Sequence, residues 1–374
     1  MITILAVKTA RQMREFVRFP LKLYKGSAYY VPCIYADEMT LQNKKKNPML
    51  EECEVQCYLA ERDGVTVGRI AALLQKKYNS ISGNRCCRFT RFDCIDDAEV
   101  ASALLGAVER FAAERGMDTV HGPWGFNDQD REGLLTYGFD RRATYATNYN
   151  YDYYEKLVVG QGYAAESEWV EYDFKIPREP DARIEHVAAY VQKKLGLVEL
   201  AESMPLNKLV ARYGHEALEM TNLAYAGLDC YVPVKGKVID HILKQFATVI
   251  NPRYFSILAN KEGQVVAIAV VLPSVCAPLQ KSGGRMTLPT VVRLIRAIAK
   301  PKELEMVLIA VHPDYQKKGV NSVMMSRIMK NIIDDKIEHI ESNPELVSNA
   351  AVQDQWNAME REIVKRRKTF SKKI

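Results

Sequence analysis

"VHPDYQKKGVNS", Val311 to Ser322, follows an apolar run and precedes a helical pattern. A chain that leaves a strand, turns at a glycine beside two lysines and enters a helix at once gathers unpaired backbone N–H groups at the positive end of the helix dipole. Phosphate oxygens bind well there. A phosphate-bearing cofactor fits this stretch, and so does an ordinary strand-to-helix connection with solvated lysines; the stretch alone leaves both open.

Upstream, "ELEMVLIAVHP" reads as a strand, preceded by a hairpin in "RYFSILANKEGQVVAIAVVLP" with a Glu262-Gly263 turn. Downstream, Val323, Met324, Ile328, Ile332 and Ile333 lie near one stripe of a helix. The first half repeats this order. A strand from about Val55 to Glu61, an Asp63-Gly64 turn and a strand from Thr66 to Leu74 are followed by "RCCRFTRFDCI" and by a helix with Val100, Leu104, Leu105, Val108 and Phe111 on one face. Both halves open on helical material, "TARQMREFVRFPLKLYKG" and "MPLNKLVARYGHEALEMTNLAYAG". Internal duplication predicts two domains, 1–176 and 177–374, divided in "DFKIPREPDARIE", where Pro177 and Pro180 break regular structure. The second copy carries an extra segment, "CAPLQKSGGRMTLPTVVRLIRAIAKP", whose basic helix reads as a surface insertion, with a lid as the alternative.

A chain of 374 residues exceeds what one core usually serves, and its 48% hydrophobic and 26% charged residues are those of an ordinary globular protein. The net charge of +6 is modest, although "KRRKTFSKKI" concentrates six basic residues in ten. A solvated terminal strand or tail is the ordinary reading of such a run, ahead of a nucleic-acid partner. Without an apolar run of about 18 residues or a signal-like N-terminus, no membrane partner and a cytoplasmic location are expected. Eight cysteines without regular spacing, Cys86 and Cys87 adjacent among them, predict reduced thiols. Cys53 and Cys57 lack a matching His or Cys cluster, so no zinc site is expected.

"VHPDYQKKGVNSVMMSRIM" resembles the acetyl-coenzyme A motif of the GNAT acetyltransferases, a strand ending V-x-P followed by Q/R-x-x-G-x-G/A and a helix. Gln316, Lys317, Lys318, Gly319 and Val320 match, while Asn321 stands where Gly or Ala is usual. The first half's "GPWGFNDQDREGLLTYGFD" and "NYNYDYYEKLVVGQGY" are similar to bacterial tandem-GNAT proteins, Asn148 and Tyr154 falling at the spacing of the family's closing helix. The resemblance implies an α/β fold with a mixed sheet and two tandem GNAT-like acyl-CoA N-acyltransferase domains. Acetyl-CoA or another acyl-CoA is the implied co-substrate. Backbone N–H groups from Gln316 to Asn321 would hold its pyrophosphate, Gly319 permitting close approach, with Lys317 and Lys318 adding charge. The strand around Ile309 and Val311 would pair with the pantetheine arm, and Asn349, at the start of the second closing helix, joins the cofactor-binding set.

The first half lacks the matching turn. Asp93, Asp96 and Asp97 stand where a pyrophosphate would sit and would repel it, so only the second half is expected to bind the coenzyme. Many GNATs protonate the leaving thiolate with a tyrosine six residues after an asparagine, but the residue six after Asn349 is Gln355. Glu341 is the candidate base, acting through water, and Tyr154 the candidate acid reaching over from the first half. Glu305 is a second carboxylate to consider, sharing a face with Val307, Ile309 and Val311 if alternation is unbroken. The aromatic and acidic sets "GPWGFNDQD" and "YNYDYY" either fill core or line an acceptor pocket. Two functions remain: direct N-acyl transfer to an amine of a small molecule or peptide, or a non-catalytic module that binds acyl-CoA or a partner.

Overall fold

A computed structural model describes residues 1–374 apart from Asp128, Gln129, Asp229 and Ala358. The first half runs β1 (Ile2–Ala6), α1 (Ala10–Leu23), α2 (Tyr35–Glu38), β2 (Cys53–Arg62), β3 (Val65–Gln75), α3 (Lys76–Ser82), β4 (Cys86–Cys94), α4 (Ala98–Ala113), β5 (Thr119–Gly122), β6 (Leu134–Tyr137), α5 (Tyr153–Val159) and β7 (Ala164–Phe174). The second runs α6 (Ala182–Leu195), β8 (Val198–Glu199), α7 (Leu206–Tyr225), α8 (Lys237–Phe246), β9 (Phe255–Ala259), β10 (Val265–Pro273), α9 (Cys276–Ser282), α10 (Leu288–Ala299), β11 (Glu303–Val311), α11 (Val320–Asp334), β12 (His339–Ser342), β13 (Glu345–Leu346), α12 (Ala350–Gln355) and β14 (Arg361–Lys373).

All strands join one mixed sheet in the order β1-β2-β3-β4-β5-β14-β7-β12-β11-β10-β9-β8, with β6 on β14 and β13 on β7. Its centre is an exchange. The last long strand of each half completes the other's sheet: β14 pairs with β5 through Phe370 and Gly122, and β7 pairs with β12 through Glu341 and Asp173. The two exchanged strands pair with each other, antiparallel, from Arg361 opposite Phe174 to Ser371 opposite Ala164.

β10 and the second half of β3 are buried on both faces, and their sequences are correspondingly apolar runs. In β3, Ile70, Ala72 and Leu74 pack under α4 with Leu104 and Val108, while Ala71 and Leu73 pack under α1 with Phe16 and Val17. In β10, Ala267, Ala269 and Val271 meet Met324 and Ile328 of α11, and Ile268, Val270 and Leu272 meet Leu209 and Ala217 of α7.

The basic run expected to be a solvated strand or tail is instead this central strand. Lys365 and Arg367 are fully buried, Lys365 paired with Glu341 and 3.6 Å from Glu171, Arg367 paired with Glu171 at 2.5 Å. Arg366, Lys368 and Lys372 reach Glu168, Glu155 and Glu109 at 2.9, 2.9 and 2.8 Å. A cation can occupy a sheet interior only with such partners, because an isolated buried charge is prohibitively costly.

The extra segment of the second half bridges to the first. Gln280 donates to the carbonyls of Ala28 and Tyr30 at 2.9 and 3.0 Å, and the Gly284 carbonyl accepts from Tyr35 N–H at 2.8 Å. All eight cysteines are free, no helix of the described residues is long and apolar enough to cross a membrane, and none of their His, Cys, Asp and Glu side chains cluster in threes as a metal would require.

Candidate active site

β11 and β12 run parallel and paired from Glu303–His339 to Met306–Ser342, closed by Asn343 N–H donating to the Met306 carbonyl at 2.9 Å. Beyond that rung they part, leaving Val307 to Val311 without a strand on that side. A bulge leaves Val307 as an extra residue against β10. It reverses the alternation: Leu304 and Met306 face α11 before it, Ile309 and Val311 after it. The face shared by Glu305, Ile309 and Val311 under unbroken alternation therefore does not exist. Glu305 lies on the other side, accepting from Ser274 Oγ at 2.8 Å, Cys276 Sγ at 3.1 Å and Tyr145 N–H at 2.9 Å. Burial raises its pKa against those donors. β4 of the first half carries a bulge at the corresponding place, with Arg91 at φ 51°.

At the far end of β11 the chain turns into α11. Lys317 and Gly319 both adopt left-handed backbone, φ 58° and 78°, and Gly319 is the N-cap without a side-chain cap. The amides of Lys317, Lys318 and Gly319 have no hydrogen-bond partner among the described residues, while both lysines are exposed. A Cβ on Gly319 would stand 3.1 Å from Val191 Cγ2 of α6, closer than ordinary contact. Glycine is thus favoured by φ, and any side chain here would also have to displace Val191 slightly.

The other expected coenzyme residues take several roles. Gln316 folds back, its side chain donating to the Val311 carbonyl at 3.1 Å and its N–H lying 3.3 Å from the Pro313 carbonyl. The Val320 side chain is buried in the core, and the Ile309 carbonyl accepts from the Tyr225 hydroxyl at 2.8 Å. Asn349 caps α12, accepting from Val352 N–H at 3.4 Å. Asn321 donates to Gln355 Oε1 at 3.2 Å. The two departures from the GNAT pattern, at the turn and at the usual acid, therefore touch each other.

Sequence reasoning missed Glu345 on β13. Its Oε1 accepts from Trp356 Nε1 at 2.7 Å, and burial pushes its pKa up to about 8 against that bond and the Arg361 charge. Its Oε2 is buried without a partner, as are Asn321 Oδ1, Gln353 Nε2 and Gln355 Nε2. Gln353 and Gln355 belong to α12, and Asn321 and Glu345 bond to Gln355 and Trp356 at its end, so the four unpartnered atoms gather about one short helix. The signal in the sequence was slight: a glutamate eleven residues before a tryptophan.

Glu341 and Tyr154 make their contacts with other residues, Glu341 with Lys365 and His339 and Tyr154 with Tyr24 and Cys94. Burial alone would raise the Glu341 pKa, but His339 and Lys365 outweigh it and hold the carboxylate below its ordinary value. Tyr154 is wholly buried in the first half's core, where its hydroxyl accepts from Cys94 N–H at 2.9 Å and sits 3.1 Å from the Tyr24 hydroxyl. Burial raises its pKa well above that of a free phenol. The tyrosines of "YNYDYY" pack on one another and on Tyr24, ring centroids 4.8 to 6.0 Å apart, which is core rather than pocket. In "GPWGFNDQD", Trp124 and Phe126 are buried, and Asp128 and Gln129 lie outside the described residues.

No protein-family model matches the chain. It is 24% identical over 292 residues to "Bacterial ceramide synthase" of Caulobacter vibrioides, covering 76% of this chain and 73% of that one. It is 31% identical over 128 residues, about a third of each chain, to "Protein YghO" of Escherichia coli. Among solved structures, a tandem GNAT protein from the clavulanic acid biosynthesis pathway superposes with a TM-score of 0.56 over 100% of this chain and 98% of that one, at 10% identity. The duplicated order of elements, the parting strands and this full-length superposition agree: the chain has the tandem GNAT fold.

Proposed function

We propose that the chain is an acyl-CoA-dependent N-acyltransferase whose second half, 177–374, holds the coenzyme while the first, 1–176, serves as its structural and acceptor-side partner. One observation carries this reading: a left-handed glycine turn with unpartnered amides at Lys317, Lys318 and Gly319, standing beside strands that part at Met306 and Ser342. The turn would take the pyrophosphate, Lys317 and Lys318 adding charge, and the open side of β11 near Ile309 and Val311 the pantetheine arm. Val320 and Asn321 would contribute their amides; Asn349 would act by fixing α12.

The acceptor is an amine of a small molecule or peptide, with acetyl-CoA or a longer acyl-CoA as donor. A ceramide is itself an N-acyl amino alcohol, so the relative of that name supports amide formation on an amine and widens the choice of acyl chain. In direct transfer the amine nitrogen attacks the thioester carbonyl, the C–S bond breaks, and the amine proton leaves to a base. Glu345, protonated at neutral pH and joined through Trp356 to Gln355, is suited to return a proton to the thiolate. Glu341 keeps its charge beside Lys365 and is suited to act as base through water. Tyr154 contributes from the first half only by holding Cys94. Free cysteines suit a cytoplasmic setting.

Gln355 favours a second reading, because an amide cannot protonate a thiolate and a binding module needs no acid. Free thiol release with acetyl-CoA and palmitoyl-CoA over a panel of primary amines separates the two. Amine-dependent release supports transfer; tight coenzyme binding without release from any amine assigns the module.

A further inference from the structure

Helix α10 turns an apolar stripe to water. Leu288, Val292, Ile295 and Ala299 recur at i, i+4, i+7 and i+11, one face of a helix, and Leu288 is 78%, Val292 40% and Ile295 61% exposed. Met286, just before the helix, is 49% exposed. The opposite side meets the protein: Thr290 is buried, Leu294 packs with the cluster of Val275, Cys276 and Leu279, and the Ile298 carbonyl accepts from Asn251 Nδ2 at 3.0 Å.

A third side is basic. Arg293, Arg296 and Lys300 flank the stripe, Lys281 and Arg285 stand on the approach to it, and no acidic residue occurs between Gln264 and Lys302. None of these five cations has a carboxylate partner among the described residues. An ordinary surface helix buries its apolar stripe and exposes mixed charge. A helix that exposes an apolar stripe bordered by cations of one sign is built for an interface between water and an anionic, apolar phase.

We propose that α10 docks the chain on an anionic lipid surface, Leu288, Val292 and Ile295 entering the boundary between headgroups and acyl chains while the arginines and lysines meet lipid phosphates. The unbroken positive sign argues against a second copy as occupant, since self-contact would bring like charges together. α9, which leads into α10, begins at Cys276, whose thiol donates to Glu305 of β11 at 3.1 Å and ties the segment to the sheet. Docking is independent of acyl transfer and needs no turnover to be measured.

The full chain is tested by co-sedimentation with vesicles of phosphatidylcholine alone and with vesicles containing about 30% phosphatidylglycerol. Binding is expected on the anionic vesicles, weakened about tenfold or more by high salt, and absent on the neutral ones. Ile295→Asp, and separately Arg293→Glu with Arg296→Glu, should each cut partitioning about tenfold or more at unchanged Tm, because these side chains are exposed. No sedimentation with the anionic vesicles, or undiminished sedimentation of Ile295→Asp, overturns the proposal. Self-association in the absence of lipid that Ile295→Asp abolishes also overturns it, assigning the stripe to a protein contact.

Discussion

The helices that follow the bulged strands β4 and β11 begin in opposite ways. α4 starts at Asp97, whose carboxylate accepts from the N–H groups of Glu99 and Val100 at 2.9 and 3.2 Å and pairs with Arg62 at 2.7 Å. α11 starts at Gly319, with no side-chain cap and three amides left open before it. The same backbone end is closed by the chain's own anion in one half and left open in the other. A helix start becomes a place for phosphate only where the sequence withholds its own carboxylate.

Four substitutions press on that difference. Gly319→Asp gives α11 the acidic start of α4, strains a left-handed position and crowds Val191; coenzyme A affinity measured by calorimetry should fall more than about 100-fold. Wild-type affinity in this variant breaks the comparison. Glu345→Gln is expected to change stability by up to a few kcal/mol at alkaline pH. The folded pKa of about 8 stands above 4.5, so the folded state keeps a proton that the unfolded chain releases, and wild-type stability falls as pH rises between those values. The variant should lose that fall in Tm measured against pH; parallel curves sink the assignment. Tyr154→Phe leaves the Cys94 N–H unpaired in the first core and should cost about 1–3 kcal/mol in urea unfolding at unchanged coenzyme A affinity. A lost affinity would bring Tyr154 back to the site. Asp97→Ala removes a cap and should cost about 1 kcal/mol without creating a second coenzyme site, read by denaturation and by binding stoichiometry.

Local patterns carried much of this architecture. The hairpin expected over 55–74 lies inside β2 and β3, and the apolar stripes of α4 and α11 are core, because turn chemistry and helical periodicity act over a few residues. The Gly319 turn was legible for the same reason. What depended on distant partners was not. The cations of β14 read as solvated because Glu171 and Glu341, which neutralise Lys365 and Arg367, are 24 to 196 residues away. The bulge at Val307 exists only in register with β10, so alternation along β11 misplaced Glu305. Glu345 owes its raised pKa to burial, which outweighs the Trp356 hydrogen bond and the Arg361 charge, and no spacing announces it.

The exchange of β7 and β14 also dictates an order of events during synthesis. β5 cannot receive its neighbour until residues 361–373 exist, and the pair Phe370–Gly122 joins positions far apart in the chain. At ordinary ribosomal speeds, the interval between completing β7 and completing β14 is on the order of 10–40 s. Throughout it the nascent first half carries an unpaired edge of the kind that recruits foreign strands, and it holds Glu171 with no cation to meet it. Cutting the chain at 175–181 would make that interval permanent.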